Sequence, residues 1–136
     1  MYVKKIKYTD FDGNERTETH YFHLNMPEVL ELQASYPGGL EKKLQTVIDE
    51  KDPMKILTVF KDLIRMSYGE KSPDGKRLIK SKELFEAFEQ SGAYETLYME
   101  LMGDAKEAAK FANEIMPKRV QEEAAKIDQL PVLTQE

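Results

Sequence analysis

Cysteine is absent from the 136 residues of this chain. Without a thiol the chain forms no disulfide, no thiolate nucleophile and no cysteine-ligated metal site. The absence is typical of proteins that live in a reducing compartment. We therefore expect an intracellular protein.

Long apolar runs are also missing. No stretch approaches the roughly 20 consecutive apolar residues that a membrane-spanning helix needs. The first twenty residues are interrupted by basic and aromatic side chains and lack the apolar run of a signal peptide. The sequence predicts a soluble protein with no membrane partner.

An excess of positive charge is the third thing that the chain lacks. Its 20 lysines and arginines face 25 aspartates and glutamates, which gives a net charge of −5. A negative protein repels polyanions unless its basic residues gather on one face, so we expect no nucleic-acid partner.

The length and the 40% of apolar side chains are sufficient for one domain with its own core. Strand-like alternation marks residues 2–24, with Tyr2, Lys4, Ile6 and Tyr8 before the turn signal Asp12-Gly13. Such a β-hairpin is marginal alone, so it must pack on helices or pair with another chain. Its free edge predicts self-association into small oligomers.

Helical spacing replaces this alternation after Leu24. Asn25 and Glu28 have the spacing of a capping box, and the same spacing recurs at Asp104 and Glu107. Between the breaks we expect about five to six helices, the third of which is the most apolar and lies at the core centre. The predicted fold is mainly α, with an N-terminal β-hairpin (about 2–24) and a compact helical bundle in a single domain, 2–117. The tail, 118–136, is expected to be weakly amphipathic and helical, or frayed.

Residues 67–81, "SYGEKSPDGKRLIKS", interrupt this helical pattern and admit three interpretations. A phosphate-binding loop would need Gly-Lys-Ser/Thr at a helix start, but Arg77 follows Gly75-Lys76. The "SPDG" stretch instead has the preferences of a type I turn, which predicts a short ribbon at about 68–79. Its basic residues form a solvated rim or, in the third interpretation, a surface that docks on an acidic partner. The rim residues are Lys71, Lys76, Arg77 and Lys80.

The spacing of the candidate metal ligands and catalytic residues does not fit a metal site or an active site. Asp10, Asp12 and Asn14 resemble the start of a calcium loop, but the glycine and the final glutamate are misplaced. His20 and His23 are three apart on a predicted strand, so they point to opposite faces and cannot share a metal. The carboxylates fall at helix caps and exposed helical positions. We expect no metal, no cofactor and no enzymatic activity.

Aromatic and methionine side chains at helical spacing have two interpretations. Tyr94 and Tyr98 are candidates for partner contact, although a stripe of this kind is more often core. Flexible methionines suit an adaptable binding surface. For the methionines the core is the favoured interpretation, and the four concerned are Met54, Met66, Met99 and Met102.

The combination of these stretches resembles a known family. The threonine-rich hairpin, "YPGGLEKKL", "VFKDLIRMSYGEKSPDGKRLIKSKELFEAFEQSGAYETLYMELM" and "AAKFANEIMP" are similar to tail assembly chaperones of long-tailed, siphovirus-type bacteriophages or prophages of Gram-positive bacteria. The resemblance covers roughly 2–117, and 67–81 is its most specific part. It carries no catalytic residues.

This resemblance implies a non-enzymatic role in tail morphogenesis. Such a protein holds the tape measure protein soluble and recruits tail tube subunits, made of the major tail protein, around it. It works in the cytoplasm of the bacterial host and is absent from the mature virion, and a longer version often arises by ribosomal frameshifting. The alternative is a small phage or host regulatory protein that inhibits or adapts one partner. If 67–81 is only structural, the binding surface is expected at the hairpin edge and on the apolar faces between Ala93 and Met116.

Overall fold

The computed structural model describes residues 1–118 and 120, without the side chain of Ile48. Within that part of the chain it contains four strands and six helices. The strands are β1 Tyr2–Thr9, β2 Glu15–Phe22, β3 Tyr68–Lys71 and β4 Leu78–Ile79. The helices are α1 Met26–Ser35, α2 Leu40–Glu50, α3 Pro53–Ser67, α4 Lys82–Glu89, α5 Gly92–Gly103 and α6 Ala105–Glu114. The mainly α prediction with an N-terminal hairpin is confirmed.

The N-terminal hairpin forms as its sequence predicts. β1 and β2 pair antiparallel from Tyr2 opposite Phe22 to Thr9 opposite Glu15. At the turn, the Asp10 carboxylate accepts hydrogen bonds from two backbone amides two and four residues on, and Gly13 adopts a φ of +85°. Glycine reaches this left-handed region without a steric penalty, which explains the tight turn.

The β3–β4 ribbon is also confirmed, and it joins the hairpin in one sheet. β3 pairs with β2 through Tyr21 opposite Gly69 and Phe22 opposite Tyr68, which gives the strand order β1-β2-β3-β4. Helices α1, α2 and α3 lie between β2 and β3 in the sequence. The pairing of β3 with β2 could not be predicted from the sequence, because it joins residues that are distant in the chain.

The first predicted capping box forms as the local sequence indicates, and the second does not. Asn25 and Glu28 form the expected capping box, with both hydrogen bonds at 2.9 Å. At the second box, Asp104 accepts from the amides of Lys106 and Glu107, but the Glu107 side chain instead accepts from the Tyr2 hydroxyl at 2.5 Å. The second capping box is therefore only half formed, because a tertiary contact recruits its glutamate.

Helix α3 lies in the core, as predicted. Its four buried apolar side chains lie on successive turns of the helix: Val59, Phe60, Leu63 and Ile64. Phe22 of β2 meets Phe88 and Phe111 in edge-to-face contacts at 5.8 and 5.7 Å between ring centroids. The backbone amide of Leu24 donates to the carbonyl of Ile115 at 2.7 Å. The sheet is thus closed against α6 by both side chains and backbone.

Three large apolar side chains of the described helices lie outside this core, and the two methionines among them were expected inside it. Met54, Met99 and Leu30 are 68%, 64% and 63% exposed, whereas Met66 and Met102 pack against the core as predicted. Leu30 is exposed because α1 buries Val29 and Leu32. With 3.6 residues per turn, position 30 lies on another side of the helix.

The prediction for the tail concerns residues outside those described, apart from 118 and 120. Among the described helices, none is long and apolar enough to cross a membrane.

Candidate partner-binding groove

An apolar groove of about 680 Å³ opens between the α2–α3 pair and the α5–α6 pair. We call it the apolar groove. Its lining residues come from these four helices, from α1 and from the segment after α6: Gln33, Leu40, Glu41, Leu44, Ile56, Phe60, Leu101, Met102, Gly103, Ala105, Ala108, Ala109, Ala112, Asn113, Met116 and Val120.

One wall of the apolar groove is built from small side chains. Ala105, Ala108, Ala109 and Ala112 lie on α6 at i, i+3, i+4 and i+7, which places them on one helical face. Phe111 points the other way, into the core. A face of alanines lets another backbone approach closely, so this wall leaves room for a bound element.

The opposite wall is built from larger side chains. Leu40 and Leu44 of α2 and Ile56 and Phe60 of α3 face the alanines. Leu40 and Phe60 belong to the buried core, while Leu44 and Ile56 pack against it and remain partly exposed. The partly exposed side chains offer apolar surface to a partner without requiring the core to open.

The start of α2 is held at the mouth of the apolar groove by Gln33. Its side-chain oxygen accepts a hydrogen bond from the Leu40 amide at 2.8 Å. The chain turns there through Gly38 and Gly39, which have φ values of +81° and +90°. A Cβ at Gly39 would lie 2.5 Å from that Gln33 oxygen, so glycine is required by both conformation and space.

The chemistry of this lining suits apolar side chains. Its polar members are Gln33, Glu41 and Asn113, and the described residues contain no cluster of three metal-ligating side chains. Buried polar groups on a ligand would find few partners here, which costs about 1–3 kcal/mol for each unpaired group. The arrangement favours binding of an apolar helix face.

The predicted turn in 67–81 is present. The Gly75 amide donates to the Ser72 carbonyl at 2.9 Å, which closes the turn, and the Ser72 hydroxyl donates to Asp74 at 2.6 Å. Lys76 and Arg77 are exposed. We call Lys71, Lys76 and Arg77 the basic ribbon; the Lys71 ammonium lies 5.0 Å from the Tyr21 ring centroid.

Lys80 has a different environment from the basic ribbon. Its side chain is 24% exposed, and its ammonium donates to both Glu28 carboxylate oxygens. It also donates to the backbone carbonyls of His23 and Met66 at 2.6 and 3.0 Å. These contacts connect the segment between β4 and α4 to the first turn of α1, to the residue after β2 and to α3. They give Lys80 an architectural role.

Comparison with protein families decides the identity of the chain. A family model described as phage tail assembly chaperone matches residues 1–135. The chain belongs to this family of phage tail assembly chaperones. No curated protein and no solved structure matches it. Membership indicates a non-catalytic assembly factor that binds phage tail proteins and is not part of the virion.

In this chaperone the two candidate tyrosines lie on α5 and are not among the residues that line the apolar groove. The Tyr94 ring packs edge-on against Phe85 and Phe88, with centroids 6.2 and 5.7 Å away. Burial raises the pKa of Tyr94 to about 12. The ring centroid of Tyr98 lies 5.6 Å from that of Tyr94, and Tyr98 is half-buried. Of the six candidate residues, four thus lie in or directly after the β3–β4 ribbon and two lie on α5.

The two histidines of the chaperone also occupy separate places. The His20 ring packs 4.9 Å from the Phe88 centroid, and burial lowers its pKa against the opposing influence of Glu18 and Glu70. His23 lies beyond the end of β2 and donates its backbone amide to Ser67. Its pKa is lowered mainly by burial. Both act as packing residues.

Proposed function

We propose that this tail assembly chaperone binds the tape measure protein of a long-tailed, siphovirus-type phage or prophage of a Gram-positive host. In this proposal it keeps the tape measure protein soluble in the host cytoplasm and recruits tail tube subunits. It then leaves before the virion matures. Within a family of tail assembly chaperones, the observation that supports this choice is the apolar groove, whose walls match one face of a helix.

A long helical protein offers the apolar groove a repeated ligand. Anchors at i, i+3, i+4 and i+7 would pack between the α6 alanines and the side chains of Leu44 and Ile56. Full burial of one such anchor contributes about 1.5–3 kcal/mol. A few anchors, less the cost of association, give reversible binding, which suits a partner that must later be released.

The test is a substitution that fills the apolar groove and leaves the core intact. Ala109 is exposed and lines the groove, whereas Ala87 is an exposed helical alanine that does not. Ala109→Arg and Ala87→Arg therefore make the same chemical change at two sites. Because both are exposed helical positions, each should change stability by about 0.5 kcal/mol or less.

The readout is the amount of tape measure protein that stays soluble when it is co-expressed with each variant. We expect several-fold less with Ala109→Arg, because the arginine occupies the space of an anchor and would lose its water shell. Ala87→Arg should match the wild type. Equal yields from both variants would place the binding surface elsewhere.

The basic ribbon is a second contact surface, which we assign to an acidic region of the major tail protein. Lys76→Ala with Arg77→Ala removes two exposed charges. Lys61→Ala with Arg65→Ala on α3 removes the same two charge types from another exposed site. Only the ribbon variant should weaken capture of the major tail protein, with the larger loss at low salt. Unchanged capture would limit the ribbon to an architectural role.

Self-association is assigned to the outer edge of β1, the terminal strand of the sheet. That edge carries the exposed Lys5 and Lys7, and like charges oppose the pairing of two copies. Oligomers should therefore become more populated as salt is raised. Light scattering over a concentration series measures this, and a strictly monomeric chain at high salt would contradict it.

A further inference from the structure

The apolar groove is continuous with the part of the chain that follows α6. Met116 and Val120 both line it, and the Val120 amide donates to the Pro117 carbonyl at 2.9 Å, which forms a turn. Residue 121 follows directly in the sequence on Val120, which lines the groove. We call residues 121–136 the C-terminal segment.

We propose that the C-terminal segment docks in the apolar groove of its own chain and competes there with the tape measure protein. This inference rests on the proposed function of the groove. It assigns the chaperone a self-occupied state, which a partner must displace before it binds.

The apolar spacing of the C-terminal segment supports this occupant. Ala124 and Ile127 follow Val120 at i+4 and i+7. In a helix this spacing would put the three positions on one face. Since Val120 already lines the groove, such a face would present Ile127 to it, and Leu130 would follow within about 15 Å of helix.

Charge complementarity supports the same occupant. The C-terminal segment carries four acidic residues, Glu122, Glu123, Asp128 and Glu136, against one basic residue, Lys126. On α6, Lys106 and Lys110 are exposed. Each comes one position after an alanine of the groove wall, so both lie beside the alanine face of the helix. Neither lysine makes an ion pair with another described residue. The α6 side of the groove therefore offers two cations to the acidic segment, while the acidic lining residue Glu41 lies on the opposite wall, on α2.

Tethering makes even weak docking effective. Because the segment is covalently attached next to Val120, its effective concentration at the groove is on the order of 1 mM. Docking with an intrinsic Kd near that value is populated about half of the time, and the apparent Kd of a competing partner then rises about twofold. Tighter docking raises it further.

The absence of cysteine permits a direct test on the full chain. A single nitroxide label at Lys110→Cys stands next to the groove without lining it, and one at Lys76→Cys stands on the basic ribbon. We expect the first label to broaden the amide NMR signals of Ile127 and Leu130, and the second to leave them sharp. Equal signal intensities with both labels would overturn the inference.

A second variant separates docking from mere proximity. Ile127→Asp with Leu130→Asp removes the apolar anchors and should restore the signals of the C-terminal segment with the label at Lys110→Cys. Persistent broadening in this variant would also overturn the inference, since it would show closeness without docking. If broadening instead depends on protein concentration, the occupant is the segment of a second copy and self-docking is wrong.

The functional readout distinguishes this inference from the proposed function. Ile127→Asp with Leu130→Asp should raise capture of the tape measure protein at limiting concentration about twofold or more, while Ala109→Arg lowers it. If the labels show docking but Ala109→Arg has no effect on capture, the proposed function fails and self-docking stands. If Ala109→Arg lowers capture but the labels show no docking, only this inference fails.

Discussion

The Lys80 ammonium lies 2.8 Å from each of the two carboxylate oxygens of Glu28, fifty-two residues earlier in the chain. The same carboxylate closes the capping box at Asn25. Glu28 thus serves a helix start and a tertiary ion pair together, and the pair joins α1 to the segment after β4.

Loss of the Lys80 ammonium should destabilise the fold. Lys80→Met keeps most of the side-chain volume but leaves the Glu28 carboxylate and the carbonyls of His23 and Met66 without this donor. We expect a loss of about 1–3 kcal/mol in unfolding free energy, measured by urea denaturation. Lys76→Met, at an exposed site, is the control and should change little. A similar small effect at both lysines would refute the architectural role of Lys80.

The turn at Gly75 tests backbone conformation without a packing effect. Gly75 has a φ of +76°, and a Cβ there would meet no atom within 4 Å. Gly75→Val should cost about 1–2 kcal/mol because a β-branched residue resists this region. Gly75→Asn should cost clearly less, since asparagine tolerates it. Thermal melting of both variants measures these losses of stability. Equal losses for valine and asparagine would contradict a conformational cause.

Gly69 tests space without a conformational effect. A Cβ at this position would lie 2.7 Å from Leu78 Cγ and 3.0 Å from the carbonyl oxygen of Ile79. Gly69→Ala should therefore destabilise the protein by about 1–3 kcal/mol through overpacking between β3 and β4. Gly103→Ala, which meets nothing within 4 Å, should be neutral or slightly stabilising. An alanine tolerated equally at both sites would contradict the close ribbon packing.

Acid should destabilise the chaperone through its two histidines. Burial lowers the pKa of both His20 and His23, so the unfolded chain takes up protons first. Their contribution is fully present above the ordinary histidine pKa of about 6.5 and is lost as pH falls towards the lower pKa values of the folded state. His20→Gln with His23→Gln should flatten the stability profile between about pH 5 and 7. An unchanged slope in this variant would assign the acid sensitivity to carboxylates.

The features that sequence predicted well are the ones that neighbouring residues determine. The Asp12-Gly13 turn, the Asn25 box and the "SPDG" turn each depend on residues within a few positions, and the structure has all three. The pairing of Tyr21 with Gly69 and the bonds of Lys80 to Glu28 depend on distant residues. No local pattern distinguishes such partners from other lysines or glycines.

The sequence predicted apolar faces between Ala93 and Met116 as the alternative binding surface to the basic rim, and the α5–α6 wall of the apolar groove lies within that range. Leu40, Leu44 and Ile56, which form the opposite wall, could not be predicted as such because their spacing is equally typical of core. The alanines of α6 were the available signal: four small residues on one face cannot fill a core, and so leave space.

The backbone bond between Leu24 and Ile115 has a consequence for synthesis. A ribosome that has translated the hairpin has not yet made the residues that close it, and most of the chain must emerge before Leu24 finds its acceptor. Contacts between such distant residues form slowly, since a long loop must close first. During translation the part of the hairpin that contacts α6, around Phe22 and Leu24, therefore stays uncovered until α6 has left the ribosome.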